Sequence, residues 1–126
     1  MLNFFYSYIV NILKKFIYKV IINDYYVNIV LKSYKDLNIV LNFLKLHNHC
    51  QYTILTDIAC VDYLNLKSSR FEINYILSSI KNNSRFLVSL NCEETSLIES
   101  SVNLFSSSNW LEREVWDMYG IFFYNH

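Results

Sequence analysis

The sequence contains no proline and a single glycine, Gly120, among its 126 residues. Ordinary domains carry about 5% proline and about 7% glycine, so the turns of this chain must be formed by other residues. Asparagine, aspartate and serine suit this role because their side chains hydrogen-bond the neighbouring backbone. A glycine-rich loop that cradles phosphate groups is excluded, because such a loop needs several glycines.

Cysteine is also scarce, and the three cysteines, Cys50, Cys60 and Cys92, are widely separated. An odd number without a Cys-x-x-Cys spacing does not describe a disulfide framework, so we expect reduced thiols. Iron–sulfur clusters need grouped cysteine thiolates, which this spacing does not supply. We therefore expect the chain itself to bind no cofactor.

Neither sign of charge is in excess, because eleven basic residues balance eleven acidic residues. A general nucleic-acid binder needs a basic surface that releases counterions from phosphate, so we expect no nucleic acid partner. Hydrophobic residues, with eleven tyrosines counted among them, make up 53% of the chain, whereas soluble domains typically have roughly 45–50% with tyrosine left out. This apolar and aromatic composition predicts contact with other subunits. At this length residues 1–126 are expected to form a single domain.

Apolar residues at three-and-four spacing between residues 2 and 20 predict an N-terminal amphipathic helix within residues 1–22. Its charge-free run of thirteen residues ends before Lys14. A bilayer core needs about 20 residues, so no transmembrane span is expected. We expect this helix to dock on its own domain or on a neighbouring subunit. A membrane-surface helix and a cleavable targeting segment are the alternatives.

Residues 23–126 are expected to form an α+β body. Alternating apolar residues over 25–32 predict a strand, and Ser33 then caps a helix that ends near His47. Between residues 53 and 64 both alternating sets are largely apolar. That pattern is typical of a strand covered on both sides, so we interpret this segment as the central strand.

Two further alternating segments, near residues 71–77 and 86–90, are joined by short connectors. Short connectors predict hairpins, and hence three consecutive antiparallel strands. Helical spacing over residues 96–106 predicts another helix before the final one. The predicted fold class is α+β, with two layers in which helices pack on one face of a mainly antiparallel sheet.

The final helix is predicted from the stretch "WLEREVWDMYG" at residues 110–120. Asn109 is a favoured N-cap residue, and Glu112, three positions later, can complete the cap. Gly120 supplies the other end, because a left-handed residue at the end of a helix strongly favours glycine.

At 3.6 residues per turn, Leu111, Val115 and Met118 cluster on one side of this helix and are predicted to face the core. Trp116 lies on the far side. Arg113 and Asp117 are four residues apart and are expected to pair. An exposed pair of this kind adds only about 0.3–0.5 kcal/mol, so stability is a poor explanation of the charges there. Trp and Arg dominate the energetics of protein interfaces. The predicted subunit interface consists of Trp110, Glu112, Arg113, Glu114, Trp116, Asp117, Tyr119 and Gly120.

Three segments resemble one known family in order and spacing. The stretch "WLEREVWDMYGIFFYNH" resembles the signature W-x-E-R-E-x-W-D-M-[FY]-G-I-x-F-x-x-H of the 30-kilodalton subunit of respiratory complex I, also called NADH dehydrogenase subunit 9. The segments "LTDIACVDY" at 55–63 and "RFEINYILSSI" at 70–80 are similar to two strands of that family. The family continues beyond the signature histidine, so we expect the chain to be either C-terminally truncated or split. In the second case a separate chain that supplies the further segment is an expected partner.

The resemblance implies a non-catalytic structural subunit of the peripheral arm of NADH:ubiquinone oxidoreductase. It implies a position on the matrix side of the mitochondrial inner membrane, in support of the quinone-reducing module. The implied partners are the large quinone-site subunit and the iron–sulfur subunits, and the iron–sulfur clusters are expected to lie in those neighbours. The final helix and exposed surfaces of the sheet are the expected contacts with them.

A free-standing metal-binding protein or small enzyme is the alternative. His47, His49 and Cys50 carry imidazole and thiolate groups of the kind that bind zinc, although polar residues between a helix and a strand are the commoner explanation. Asp57 and Asp62 are five residues apart on a strand, so they point to opposite faces and form no catalytic pair unless a bulge intervenes. Sheet aromatics that stack RNA bases are a weaker alternative, because their face is expected to lie beneath helices.

Overall fold

The computed structural model describes residues 2–22, 26–47, 50–63, 70–81 and 83–126. No helix in these ranges is long and apolar enough to cross a membrane. The elements, in chain order, are α1 Leu2–Leu13, a 3-10 turn Lys14–Phe16, β1 Ile17–Ile22, β2 Tyr26–Leu31, a 3-10 turn Tyr34–Asp36, α2 Leu37–Leu46, β3 Ile54–Asp62, β4 Phe71–Ser79, β5 Ser84–Cys92, β6 Leu97–Glu99, α3 Ser108–Tyr119 and β7 Phe122–Tyr124.

Five of the strands form one sheet in the order β1-β2-β5-β4-β3. β3, β4 and β5 are antiparallel neighbours, as are β1 and β2, whereas β2 and β5 run parallel. β6 and β7 form a separate parallel pair. The structure therefore confirms the predicted α+β class, with its mainly antiparallel sheet and its three consecutive antiparallel strands.

One face of the five-stranded sheet carries the core. On β4 every second residue is buried and the intervening residues are half-buried, and β5 follows nearly the same alternation. Tyr6 of α1 contacts Phe86 of β5 with ring centroids 6.4 Å apart, and Tyr119 of α3 contacts Phe71 of β4 at 6.1 Å. The helices therefore pack on the same face, where a fully buried apolar side chain contributes about 1.5–3 kcal/mol.

α2 has the predicted form. Its buried residues lie on one side, at the spacing expected of an amphipathic helix. They are Leu37, Val40, Leu41 and Leu44. The Ser33 hydroxyl accepts a hydrogen bond from the backbone N–H of Lys35 at 3.2 Å and caps the 3-10 turn that leads into α2. The helix ends at Leu46, next to its predicted end near His47.

The N-terminal helix is shorter than predicted. Its buried residues Tyr6, Ile9 and Leu13 keep helical spacing, but α1 ends at Leu13. The helix predicted within residues 1–22 is wrong for Ile17–Ile22, which is β1 and pairs antiparallel with β2. This segment is rich in β-branched residues, which favour strands. Pairing with β2 also gives its backbone groups the partners that helical hydrogen bonds would otherwise supply.

β3 lies at an edge of the sheet, so the prediction that residues 53–64 form the central strand is wrong. Leu55 and Ile58 are buried in the core, whereas Ile54 and Val61 are 40% and 38% exposed. The pairing register of β3 also shifts near its start, which is typical of a bulge at a sheet edge. Apolar residues on both sides of a strand do not by themselves show that both sides are covered.

Residues 96–106 do not form the predicted helix. Leu97–Glu99 is the short strand β6. In the turn that follows, the backbone N–H groups of Leu104 and Phe105 donate to the carbonyl of Ser101 at 3.0 and 2.9 Å. The pairing of β6 with the distant strand β7 stabilises this conformation, and local spacing gives no sign of such a partner.

Substitutions at two buried tyrosines are expected to have opposite effects. The Tyr75 hydroxyl has no hydrogen-bond partner among the described residues, whereas the Tyr52 hydroxyl lies 2.9 Å from Ser84 Oγ. We expect Tyr75→Phe to raise the free energy of unfolding by about 1 kcal/mol, because burying an unpartnered hydroxyl is costly. Tyr52→Phe is expected to lower it by about 1 kcal/mol, because the hydrogen bond between Tyr52 and Ser84 is lost. Urea denaturation measures both changes, and two shifts of the same sign would contradict the expectation.

Candidate subunit interface

α3 begins two residues earlier than predicted. Its first residue is Ser108 and its N-cap residue is Ser107, so the predicted cap at Asn109 is wrong. The Ser107 hydroxyl donates to the backbone carbonyl of Leu55 on β3 at 3.0 Å, and the hydroxyls of Ser108 and Ser101 lie 2.6 Å apart. The start of α3 is thus held by distant residues, which a local capping pattern does not reveal.

Glu112 is buried inside the chain, with 1% of its surface exposed. One carboxylate oxygen accepts a hydrogen bond from the Ser100 hydroxyl at 2.5 Å, and the other accepts one from the backbone N–H of Ser101 at 3.1 Å. The position of Ser100 is fixed as well, because its backbone carbonyl accepts a hydrogen bond from the side-chain amide of Asn38 on α2 at 3.1 Å. The predicted cap of Glu112 with Asn109 is therefore wrong, and its side chain lies inside the chain and not on the accessible surface expected of an interface residue. Its carboxylate fastens α3 to the turn after β6.

The buried side of α3 is rotated relative to the prediction. Val115 is buried and Leu111 half-buried, as predicted, but Met118 is 68% exposed. Tyr119, predicted at the interface, is half-buried and places its ring against the core. The buried side runs through Ser108, Glu112 and Val115, so it includes a charged residue.

Gly120 ends α3 in the left-handed conformation, with a φ of 73°. Its N–H donates to the carbonyl of Trp116 at 2.9 Å, so the predicted C-cap is confirmed. A Cβ added at Gly120 would meet no atom within 4 Å. The preference for glycine therefore comes from the backbone conformation and not from crowding.

The outer face of α3 exposes large apolar side chains beside charges. Trp110 is 73% exposed and Trp116 is 50% exposed. Arg113, Glu114 and Asp117 are also exposed, and none of them forms an ion pair within the described ranges, so the expected Arg–Asp pair is not made. These five residues of the predicted interface share one accessible surface, which we call the outer face.

A groove of about 180 Å³ lies between α3 and β7. The Trp116 ring packs edge-on against Phe122 with centroids 5.9 Å apart, and Phe122 remains 48% exposed. Arg113 and His126 also line the groove, and Nε2 of His126 lies 3.0 Å from the carbonyl oxygen of Asn109. Exposed aromatic rings with an arginine at the margin are the composition enriched at protein–protein interfaces.

The alternative metal site is only partly within the described residues, because His49 lies outside them. His47 Nδ1 lies 3.7 Å from the Cys50 sulfur, and the His47 ring packs against Phe43 with centroids 4.8 Å apart. Burial raises the pKa of the Cys50 thiol to about 11, so it stays protonated at neutral pH and is a poor ligand or nucleophile. In the part of the chain that the structure describes, no three His, Cys, Asp or Glu residues are grouped to hold a metal ion.

The other two cysteines have the same character. Cys60 and Cys92 are free thiols, like Cys50. Burial is the main cause that raises the pKa of Cys60 to about 12 and that of Cys92 to about 11. Thiols with such pKa values are protonated and unreactive at neutral pH.

The two strand carboxylates have separate structural contacts. Asp57 accepts a hydrogen bond from the backbone N–H of Ile58 at 2.8 Å. Asp62 accepts two from the Arg70 guanidinium, each 3.0 Å long, and Arg70 also pairs with Glu94. Local spacing does not reveal this bridge, although Arg70 opens the quoted segment "RFEINYILSSI". Engaged in different contacts, the two carboxylates do not form an acid–base pair.

Comparisons with known proteins support the resemblance of residues 110–126 to the family signature. Residues 30–126 match the family model described as respiratory-chain NADH dehydrogenase, 30 Kd subunit. The chain is 45% identical over 118 residues to NADH-ubiquinone oxidoreductase subunit 9 of Dictyostelium citrinum, a match that covers 91% of this chain and 54% of that protein. It is 48% identical over 87 residues to NADH dehydrogenase (ubiquinone) iron-sulfur protein 3 of Solanum tuberosum, with coverage of 69% and 45%. The chain thus spans about half the length of these curated relatives.

Two solved structures share the fold. A trypsin-resistant fragment of Nqo5 superposes with a TM-score of 0.76 at 25% identity, and the match covers 97% of each chain. A chain of the membrane-bound sulfane sulfur reductase, an archaeal respiratory membrane complex, gives a TM-score of 0.79 at 15% identity. That match covers 96% of this chain and 71% of the other, and it shows the likeness of fold alone.

Proposed function

The chain belongs to the 30-kilodalton subunit family of the respiratory-chain NADH dehydrogenase, and we propose that it is a non-catalytic structural subunit of the peripheral arm of NADH:ubiquinone oxidoreductase. In this role it supports the quinone-reducing module on the matrix side of the mitochondrial inner membrane. The outer face of α3 contacts neighbouring subunits, among them the large quinone-site subunit and the iron–sulfur subunits. The names of its relatives support this role.

The observation that carries the proposal is the outer face of α3. Trp110 and Trp116 expose half or more of their surface there, although burial of aromatic rings is strongly favourable. An exposed ion pair stabilises a chain by only about 0.2–1 kcal/mol, and the charges of this face form none in the described ranges. The stability of the isolated chain does not account for this combination of residues. Contact with another polypeptide does, because Trp and Arg dominate interface energetics.

The chain supplies no redox centre in this proposal, and the iron–sulfur clusters lie in neighbouring subunits. A cluster requires grouped cysteine thiolates. The three thiols here are on separate elements, and burial keeps their pKa values between about 11 and about 12. These properties support a structural role for the chain.

Trp116→Ala and Arg113→Ala test this proposal on the assembled complex. We expect each variant to reduce incorporation of the chain by roughly tenfold or more, because truncation of an interface hot spot costs about 2 kcal/mol or more. Unfolding of the isolated chain should change by at most about 0.5 kcal/mol for Arg113→Ala, whose side chain is exposed. Trp116→Ala should cost about 1–2 kcal/mol and stay folded, because it loses a half-buried ring that packs against Phe122. Native electrophoresis of membranes from cells that express a tagged chain measures incorporation.

Tyr18→Ala is the matched control. Tyr18 is 76% exposed on β1, at the sheet edge opposite the one beside α3, so normal incorporation of this variant is expected. Normal complex levels with both Trp116→Ala and Arg113→Ala would refute the interface. Absence of the wild-type chain from the complex would refute the proposed function.

A further inference from the structure

Three residues of the outer face follow one another along a single line of α3. Trp110, Glu114 and Asp117 are spaced by four and three residues, which places them on successive turns of the same helix side. All three are exposed. With Arg113 and Met118 they line a surface depression of about 400 Å³. We call Trp110, Glu114 and Asp117 the acidic stripe.

The acidic stripe carries two carboxylates with no ion-pair partner in the described ranges. Three other carboxylates are engaged within the chain, since Asp62 and Glu94 share Arg70, and Glu112 is hydrogen-bonded inside the chain. Arg113 beside the stripe offers one positive charge against two negative charges. A polypeptide that covers this surface removes the carboxylates from water, which is strongly unfavourable unless it brings a cation.

Trp110 adds an exposed aromatic ring to the two carboxylates of the acidic stripe. Its ring is 73% exposed at the N-terminal end of the line. The face of an indole attracts a cation more strongly than the other aromatic rings do. An arginine or lysine can lay its apolar stem along such a ring while its charged end reaches carboxylates on the next turns.

The adjoining groove has a different chemistry. Trp116 and Phe122 give it two aromatic walls, and its one acidic residue, Glu112, is buried and hydrogen-bonded inside the chain. The outer face therefore offers a site for a cation beside a site for an apolar group. A partner segment that fits both carries a basic and a large apolar side chain close together.

We propose that the acidic stripe binds an arginine or lysine side chain of a neighbouring subunit, while an apolar side chain of the same segment fills the groove. The inference rests on the proposed function and adds the chemistry of the partner segment. Charge complementarity selects this occupant, because a neutral or acidic segment would leave Glu114 and Asp117 without a counterion in the interface.

Neutral substitutions at two salt concentrations test the stripe in the intact complex. We expect Glu114→Gln combined with Asp117→Asn to increase the fraction of tagged chain released on gel filtration roughly tenfold at about 50 mM KCl. The wild-type chain should approach the same release at about 500 mM KCl, because salt screens the charge pairs, and the double variant should change little with salt. Glu93→Gln removes an exposed carboxylate in the turn after β5 and should behave as wild type.

Photo-crosslinking identifies the partner side chain. The variant Trp110→p-benzoylphenylalanine is expected to label a peptide of another subunit with an arginine or lysine within a few residues of the attachment point. Labelling of an acidic segment, a lipid or a second copy of this chain would overturn the inference and leave the proposed function intact. A double variant released like the wild type would do the same. A wild-type chain that is absent from the complex would refute the proposed function instead.

Discussion

Glu112→Ala is expected to lower the free energy of unfolding by about 3 kcal/mol or more. The substitution leaves the Ser100 hydroxyl and the Ser101 N–H buried without their acceptor, and each unsatisfied donor costs about 1–3 kcal/mol. For a chain of this length such a loss corresponds to a fall of roughly 10 °C in Tm. Chemical denaturation gives the free energy, and calorimetry gives the midpoint.

Glu114→Ala is the control for this prediction. Glu114 has the same side chain, lies two residues away on the same helix and is exposed, so its loss should change the free energy of unfolding by at most about 0.5 kcal/mol. Glu112→Gln should fall between the two, because the amide keeps one acceptor and places a donor opposite a donor. Equal stability of the two alanine variants would show that Glu112 does not fasten α3 to the turn after β6.

The parts of the fold that could be predicted are those that depend on the spacing of residues close together in the sequence. The alternation on β2, β4 and β5 and the stripe of α2 follow from which side of each element faces the core. Gly120 could be predicted as a helix end because its backbone conformation is local as well. Each of these features needs only a few consecutive residues to be recognised.

The parts that could not be predicted depend on distant partners. Ile17–Ile22 continues the apolar spacing of α1, and only its pairing with β2 makes it a strand. Leu97–Glu99 is a strand because β7, more than twenty residues later, lies beside it. The edge position of β3 likewise depends on the order of strands in the sheet. No spacing rule contains these pairings, since they bring together residues far apart in the sequence.

The two glutamates of "EREVWD" explain why only part of the predicted interface is exposed. Glu112 and Glu114 differ by two positions, so they project from the helix about 200° apart. One carboxylate is buried against two serines and the other is exposed on the outer face. Residue type alone assigned both to the surface. The serines that receive Glu112 were interpreted as part of a helix, which hid its binding partners.

Phe86→Ala is expected to lower the free energy of unfolding by about 3–5 kcal/mol. Phe86 on β5 is fully buried, and its ring contacts Tyr52 and Tyr6 with centroids 5.4 and 6.4 Å away. The truncation therefore opens a cavity where α1 meets the sheet, and rigid neighbours fill such a cavity only in part. Because domains are stable by only about 5–15 kcal/mol, urea denaturation should show a large loss or an unfolded variant.

Leu87→Ala at the next position keeps this prediction decisive even if Phe86→Ala does not fold. Leu87 is half-buried and points to the opposite side of β5, the face on which no helix of the described ranges packs. We expect its truncation to cost about 1 kcal/mol, because little cavity forms where solvent can enter. A loss at Leu87 as large as that at Phe86 would mean that the isolated chain covers both faces of its sheet, which the two-layer arrangement does not allow.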